Sequence, residues 1–185
     1  MALRRRRKKR RSTASPIHAF GLFWQTDEID FFPGRGRRNA FRLLGRQGKY
    51  SGTLHMADFR GQLGLYILYG NYGPHYAGLT QRQTLGKILR DHLIDEHRGQ
   101  WDRFSWFGFK QVLKRRNRSG LHLLKRQLPE RTSIDPGTAV NEVKALLTKA
   151  MALTNLAENR FANAQEWVQV KKLEAPTLLR RAAAR

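Results

Sequence analysis

The chain has 185 residues, with 36 Lys and Arg against 14 Asp and Glu and a formal net charge of +22. A field of that sign and size draws in polyanions, so nucleic acid is the expected partner, well ahead of an acidic membrane surface or a small-molecule cofactor. With no cysteine, disulfides, thiolate nucleophiles and cysteine zinc sites are excluded, and no apolar run approaches the roughly 20 residues of a membrane span.

Eight positive charges lie in "RRRRKKRR", Arg4 to Arg11, and setting them aside still leaves +14 on the rest of the chain. The basicity therefore belongs to the body as well as the arm. Residues 1–16 are predicted to be a disordered basic arm, since a block of like charge without apolar periodicity cannot bury a core. Residues 17–57, with "FGLFW", "IDFF" and the turn-rich "PGRGRRN", form an N-terminal extension of a strand or two and a loop packing on the domain. In that loop Arg35, Arg37 and Arg38 are candidates for phosphate contact, through guanidinium groups and Gly-rich backbone N–H groups.

"GLYILY" is a short apolar run suited to a strand buried on both faces, "GNYGP" supplies a turn, and "HYAGLT" is the antiparallel partner. Thr84 then caps a helix over "TLGKILRDHLIDEH", in which Leu85, Ile88, Leu89 and Leu93 recur with helical spacing. "FSWFGFKQVL" is a third strand, ended by "RNRSG". Trp101, Trp106 and Phe109 in this region are expected to pack. Asp135-Pro136-Gly137 breaks the chain before a second helix, about Ala139 to Leu153, with a strong apolar stripe. "FANAQEWVQV" follows, and residues 174–185 are predicted to be a basic tail. His75 and His97 show no spaced ligand pattern, so no transition-metal site is expected. The order of elements predicts one α+β domain over 58–173, a small central antiparallel sheet flanked by helices, with no internal repeat.

Gly64-Leu65-Tyr66 and Tyr76-Ala77-Gly78, with the blocks "LGKILRDHLIDEH", "WDRFSWFGF", "KALLTKAM" and "FANAQEWVQV", resemble in order a bacterial branch of the GIY-YIG nuclease family, over roughly Asp58 to Val170. The resemblance implies a GIY-YIG-like fold that hydrolyses phosphodiester bonds with a single divalent cation. It implies that Tyr66 and Tyr76 lie close together on the central hairpin, one of them acting on the attacking water. It places His92 one helical turn after an arginine that holds the scissile phosphate. A glutamate on the later helix would carry the metal, with an asparagine beyond it. Asn159 is the candidate for that asparagine, with Asn155 or Arg160 as alternatives.

Two positions depart from the pattern. Ile88 stands where the phosphate-binding arginine belongs, and Lys144 where the metal-binding glutamate belongs. Arg90 and Glu142 are each two residues away, about 200° round a helix, and Lys87 is 100° round. Losing one positioned charge donor costs roughly a hundredfold to a thousandfold in rate. A lysine in place of the glutamate would repel a cation by about 4 kcal/mol per unit charge at 4 Å and an effective dielectric near 20.

The expectation is a protein that binds nucleic acid and cleaves it feebly or not at all, with no cofactor. Lys87, Arg90 and Lys144 would serve as phosphate contacts. A role as an RNA-binding structural component of a ribonucleoprotein is favoured over that of a DNA-binding accessory factor. The alternative is an active Mg²⁺-dependent DNA endonuclease, with Arg90 or Lys87 on the phosphate and Glu142 or Glu158 on the metal. Either reading implies an intracellular place: cytoplasm, nucleoid, nucleus or organelle matrix.

Overall fold

Short strands dominate the computed structural model, which describes residues 15–34, 41–48, 50, 52–80, 82–126, 128, 135–153 and 160–184. In chain order these form β1 (Ala19–Gln25), β2 (Leu44–Gln47) and β3 (His55–Asp58), then a 3-10 turn, Phe59–Gly61. The Asp58 carboxylate caps that turn by accepting from the Arg60 N–H. The hairpin β4 (Gly64–Gly70) and β5 (Gly73–Leu79) leads to α1 (Leu85–Asp91), β6 (Arg103–Gly108), β7 (Val112–Arg116) and β8 (His122–Leu124). The chain continues through α2 (Pro136–Ala150), β9 (Gln165–Glu166), β10 (Val168–Gln169) and α3 (Ala175–Ala183).

The fold is α+β, but it holds two mixed sheets rather than one small antiparallel one. The first has the order β5-β4-β6-β1-β9 and the second β10-β2-β3-β8-β7. Parallel pairing of β9 with β1 and of β8 with β3 makes both mixed. The stretch read as an extension thus supplies β1, an inner strand of the first sheet, as well as β2 and β3 of the second. The predicted third strand is two strands, because the chain breaks at Phe109–Gln111, where Gln62 accepts from the Lys110 N–H and donates to the Lys110 carbonyl.

An aromatic core fills the space beneath the first sheet. Trp24 meets Phe59, Phe104 and Trp106 edge to face, with centroids 5.4–6.1 Å apart, and Trp101 is buried beside Phe104. Such pairs add about 0.5–1.5 kcal/mol each beyond the burial of their area. Trp101, Trp106 and Phe109 are therefore packing residues.

Alternation along β4 places the two helices on opposite faces. Tyr66 and Leu68 share a cluster with Leu85 and Leu89 of α1, whereas Leu65 and Ile67 pack with Ala145 and Ala150 of α2. The Tyr69 hydroxyl donates to the Ala150 carbonyl at 2.8 Å and ties β4 to the end of α2.

The helices differ from expectation in extent and in facing. α1 stops at Asp91, and tight turns follow, with the Leu93 and Ile94 N–H groups donating to the carbonyls of Arg90 and Asp91. α2 starts earlier, at Pro136, where the Asp135 carboxylate accepts from the Thr138 N–H. Its apolar stripe, Val140, Val143, Leu147 and Met151, is exposed, while Glu142, Thr148 and Lys149 are buried. The predicted basic tail is α3. Leu178 and Ala182 bury against Leu44, Met56, Leu121 and Val170. Gly120, at φ +76°, comes so close to the Ala182 carbonyl that a Cβ there would collide with it. Among the described residues no helix is long and apolar enough to cross a membrane.

Candidate functional site

The hairpin brings the two tyrosines together as the resemblance implies. Tyr66 pairs with Gly78 and Tyr76 with Leu68 across the β4–β5 ladder, so both rings lie on the α1 face, with centroids 6.0 Å apart. Gly78 has a direct reason to be glycine: a Cβ there would run into the Tyr66 ring and hydroxyl. Tyr66 is buried, whereas Tyr76 on the edge strand is 37% exposed.

His92 caps the C-terminal end of α1. Its Nε2 lies 2.8 Å from the Tyr66 hydroxyl and its Nδ1 2.7 Å from Asp95 Oδ2. With Asp95 ionised, Nδ1–H donates to the carboxylate and Nε2 accepts from Tyr66. The other carboxylate oxygen, Oδ1, accepts from the His97 N–H at 2.9 Å. Burial raises the Tyr66 pKa well above the usual tyrosine value, and Tyr76 and Asp95 beside it push the same way. Near neutral pH this phenol is a hydrogen-bond donor, not a phenolate base. Burial works against the Asp95 carboxylate, but the hydrogen bonds it accepts from the His97 N–H and from His92, with the electrostatic pull of the two rings, outweigh it, and its pKa is lowered.

Two histidines far apart in sequence join the same cluster. His75 Nε2 lies 3.1 Å from His97 Nδ1, and the His97 ring sits against Tyr76, with centroids 4.4 Å apart. The absence of a spaced ligand pattern hid this contact, because the hairpin and the turns after α1 make it in space. Asp95 was missed for a related reason. The predicted helix ran to His97, and only the His92–Asp95 spacing of three residues hinted at a pair.

The charged partners implied by the resemblance do not gather here. Ile88 packs against the core beside Leu85 and Leu89. Lys87 holds Asp91 at 2.9 Å on the exposed side of α1, and the Arg90 guanidinium lies 5.6 Å over the Phe41 ring. Neither points into the tyrosine cluster. Lys144 is exposed on α2, which covers the opposite face of the sheet. Glu142 is buried, and its carboxylate accepts from the Ser15 hydroxyl at 2.6 Å and from the Ala162 N–H at 2.9 Å. A carboxylate so engaged, beside an outward lysine, does not fit the single divalent cation that the resemblance implies. Arg35, Arg37, Arg38, Glu158, Asn155 and Asn159 lie outside the described residues, as does most of the basic arm.

On the outer side of α1 lies an open groove of about 620 Å³, lined by Arg60, Lys87 and Arg90 together with Phe31, Phe32 and Phe41. Arg60 donates to the Phe41 carbonyl at 3.0 Å and, like Arg90, lies over the Phe41 ring. Cations held over aromatic faces beside an exposed Phe32 suit a phosphate backbone with unpaired bases. Sequence reasoning named Lys87 and Arg90 but not Arg60, which carries no motif.

No family model, no curated protein and no solved structure matches the chain.

Proposed function

We propose that this protein binds nucleic acid on a GIY-YIG-like scaffold and does not cleave it efficiently. The observation that carries the reading is the redistribution of charge around α1. The position implied for a phosphate-binding arginine is Ile88, half-buried and packed against the core. The cations of that helix, Lys87 and Arg90, instead line the outer groove with Arg60. Phosphate would be held there by position-independent charge, and the net +22 of the chain would bring it in. RNA within a ribonucleoprotein is the favoured ligand, since a basic arm gains order when buried in a folded polyanion. The test is fluorescence anisotropy of the full chain on single-stranded and duplex DNA and RNA, without divalent ions. Affinity should fall steeply between about 50 and 200 mM salt, by roughly a thousandfold if six phosphates are contacted. The Arg60→Ala, Lys87→Ala, Arg90→Ala triple variant should bind at least tenfold more weakly at fixed salt. Affinity indifferent to salt, or unchanged in the triple variant, would remove the reading.

A second reading, an active endonuclease, is favoured by the Tyr66–His92–Asp95 chain. There Asp95 would orient His92, and His92 would take the tyrosine proton. The raised Tyr66 pKa and the apolar Ile88 at the position implied for a phosphate-binding arginine weigh against this reading.

A further inference from the structure

We infer that His92, Asp95 and His97 form a binding site for one divalent transition-metal ion of the zinc class. One donor atom from each lies within 4.8 Å of the others. Two imidazoles and a carboxylate are the donor set for Zn²⁺, Co²⁺, Ni²⁺ or Fe²⁺, whereas Mg²⁺ and Ca²⁺ prefer all-oxygen surroundings.

Distance alone would be a weak argument, but the outer contacts strengthen it. Each of the three residues already uses its other polar atom on a fixed partner. His92 Nε2 meets the Tyr66 hydroxyl at 2.8 Å, His97 Nδ1 meets His75 Nε2 at 3.1 Å, and Asp95 Oδ1 accepts from the His97 N–H at 2.9 Å. Those contacts leave His97 Nε2 together with His92 Nδ1 and Asp95 Oδ2, which hydrogen-bond to each other at 2.7 Å and would exchange that bond for the ion. Outer partners of this kind fix ring orientation and tautomer in metal sites. Glu96 Oε1, 4.0 Å from His97 Nε2, is a further carboxylate within reach.

Local charge helps as well. Asp95 and Glu96 bring two adjacent carboxylates to the ring nitrogens, while the nearby Lys87 is taken up by Asp91 at 2.9 Å. Entry is open, since Asp95 and His97 are half-buried and His75 is exposed. Binding would switch the His92 tautomer. Nδ1 would release its proton from Asp95 to coordinate, the ring proton would sit on Nε2, and the Tyr66 oxygen would accept it. The site is independent of the nucleic-acid reading, and its test contains no nucleic acid.

The experiment titrates the full chain, stripped with chelator, with Zn²⁺ by calorimetry and with Co²⁺ by visible absorption. One equivalent should bind, and the thermal midpoint should rise with Zn²⁺. Asp95→Asn and His97→Ala should each weaken binding at least a hundredfold and abolish that rise. Tyr66→Phe, which removes an outer partner only, should weaken it about ten- to a hundredfold. His122→Ala, in a separate histidine pair with His55, should leave binding unchanged. Circular dichroism of each variant without metal checks that it is folded. Absence of a stoichiometric site in the unmodified chain, or full binding by folded Asp95→Asn and His97→Ala, would overturn the inference.

Discussion

On the α1 face of the first sheet, ionisable groups point at one another across an accessible edge: Tyr66, Tyr76, His75, His92, Asp95 and His97 form one cluster. On the α2 face the arrangement is reversed. Glu142 is turned inward as a clamp between Ser15 and Ala162, Lys149 is buried with its ammonium 5.2 Å from the Phe20 ring, and the apolar stripe faces out. The same residue types cluster at an accessible edge on one side and are built into the scaffold on the other. What separates the two faces is exposure: Asp95 and His97 are half-buried and His75 is exposed, whereas Glu142 and Lys149 are buried.

Glu142 against Lys144 is the sharpest way to test that contrast. Glu142→Ala leaves the Ala162 N–H without its acceptor and the Ser15 hydroxyl with only the Ile17 carbonyl at 3.1 Å, and should cost on the order of 1–3 kcal/mol in urea unfolding. Lys144→Ala, two positions along and exposed, should change stability by no more than about 0.5 kcal/mol. Equal effects would mean that Glu142 is not a structural clamp.

Gly78→Ala probes the other face. The added methyl would press on the Tyr66 ring and hydroxyl, with an expected loss of about 1–3 kcal/mol and a visible shift of the His92 ring resonances. An unshifted His92 spectrum would separate the tyrosine from the histidine.

The smallest expected effect concerns Tyr69, which bridges β4 to α2. Burial raises its pKa, with Ser105 and Arg103 pulling the other way. A phenol held protonated by the fold contributes its full share of stability below the unfolded value of about 10, and loses it as pH rises through the higher folded value. Unfolding midpoints should therefore fall above pH about 10, and Tyr69→Phe should make that fall shallower. The variant should also lose about 1 kcal/mol at neutral pH, with the hydrogen bond to Ala150. An unchanged alkaline slope would assign the effect elsewhere.

The hairpin that carries Tyr66 and Tyr76 and the helix before His92 were legible from turn residues and helical spacing, whereas the nearness of the two rings and of His92 was implied by the resemblance alone. The second sheet was not. Its strands are two to five residues long, too short for "LGRQ" or "HMAD" to show alternation. α3 was read as a tail because its arginines mask Leu178 and Ala182, the residues that bury. The outward stripe of α2 shows why periodicity gives an amphipathic face but not the side it turns to the core. His75, Asp95 and His97 meet through turns that no spacing rule encodes.

Whether the chain cuts nucleic acid that it has been made to bind tests the proposed function most directly. Labelled DNA and RNA would be incubated with excess full-length protein in Mg²⁺, at a salt concentration where anisotropy shows the probe fully bound. Retention of intact probe over hours, with no product proportional to protein, is the predicted result. Cleavage that scales with protein and disappears in Tyr66→Phe would contradict it, and would make the Tyr66–His92–Asp95 chain a working nuclease centre.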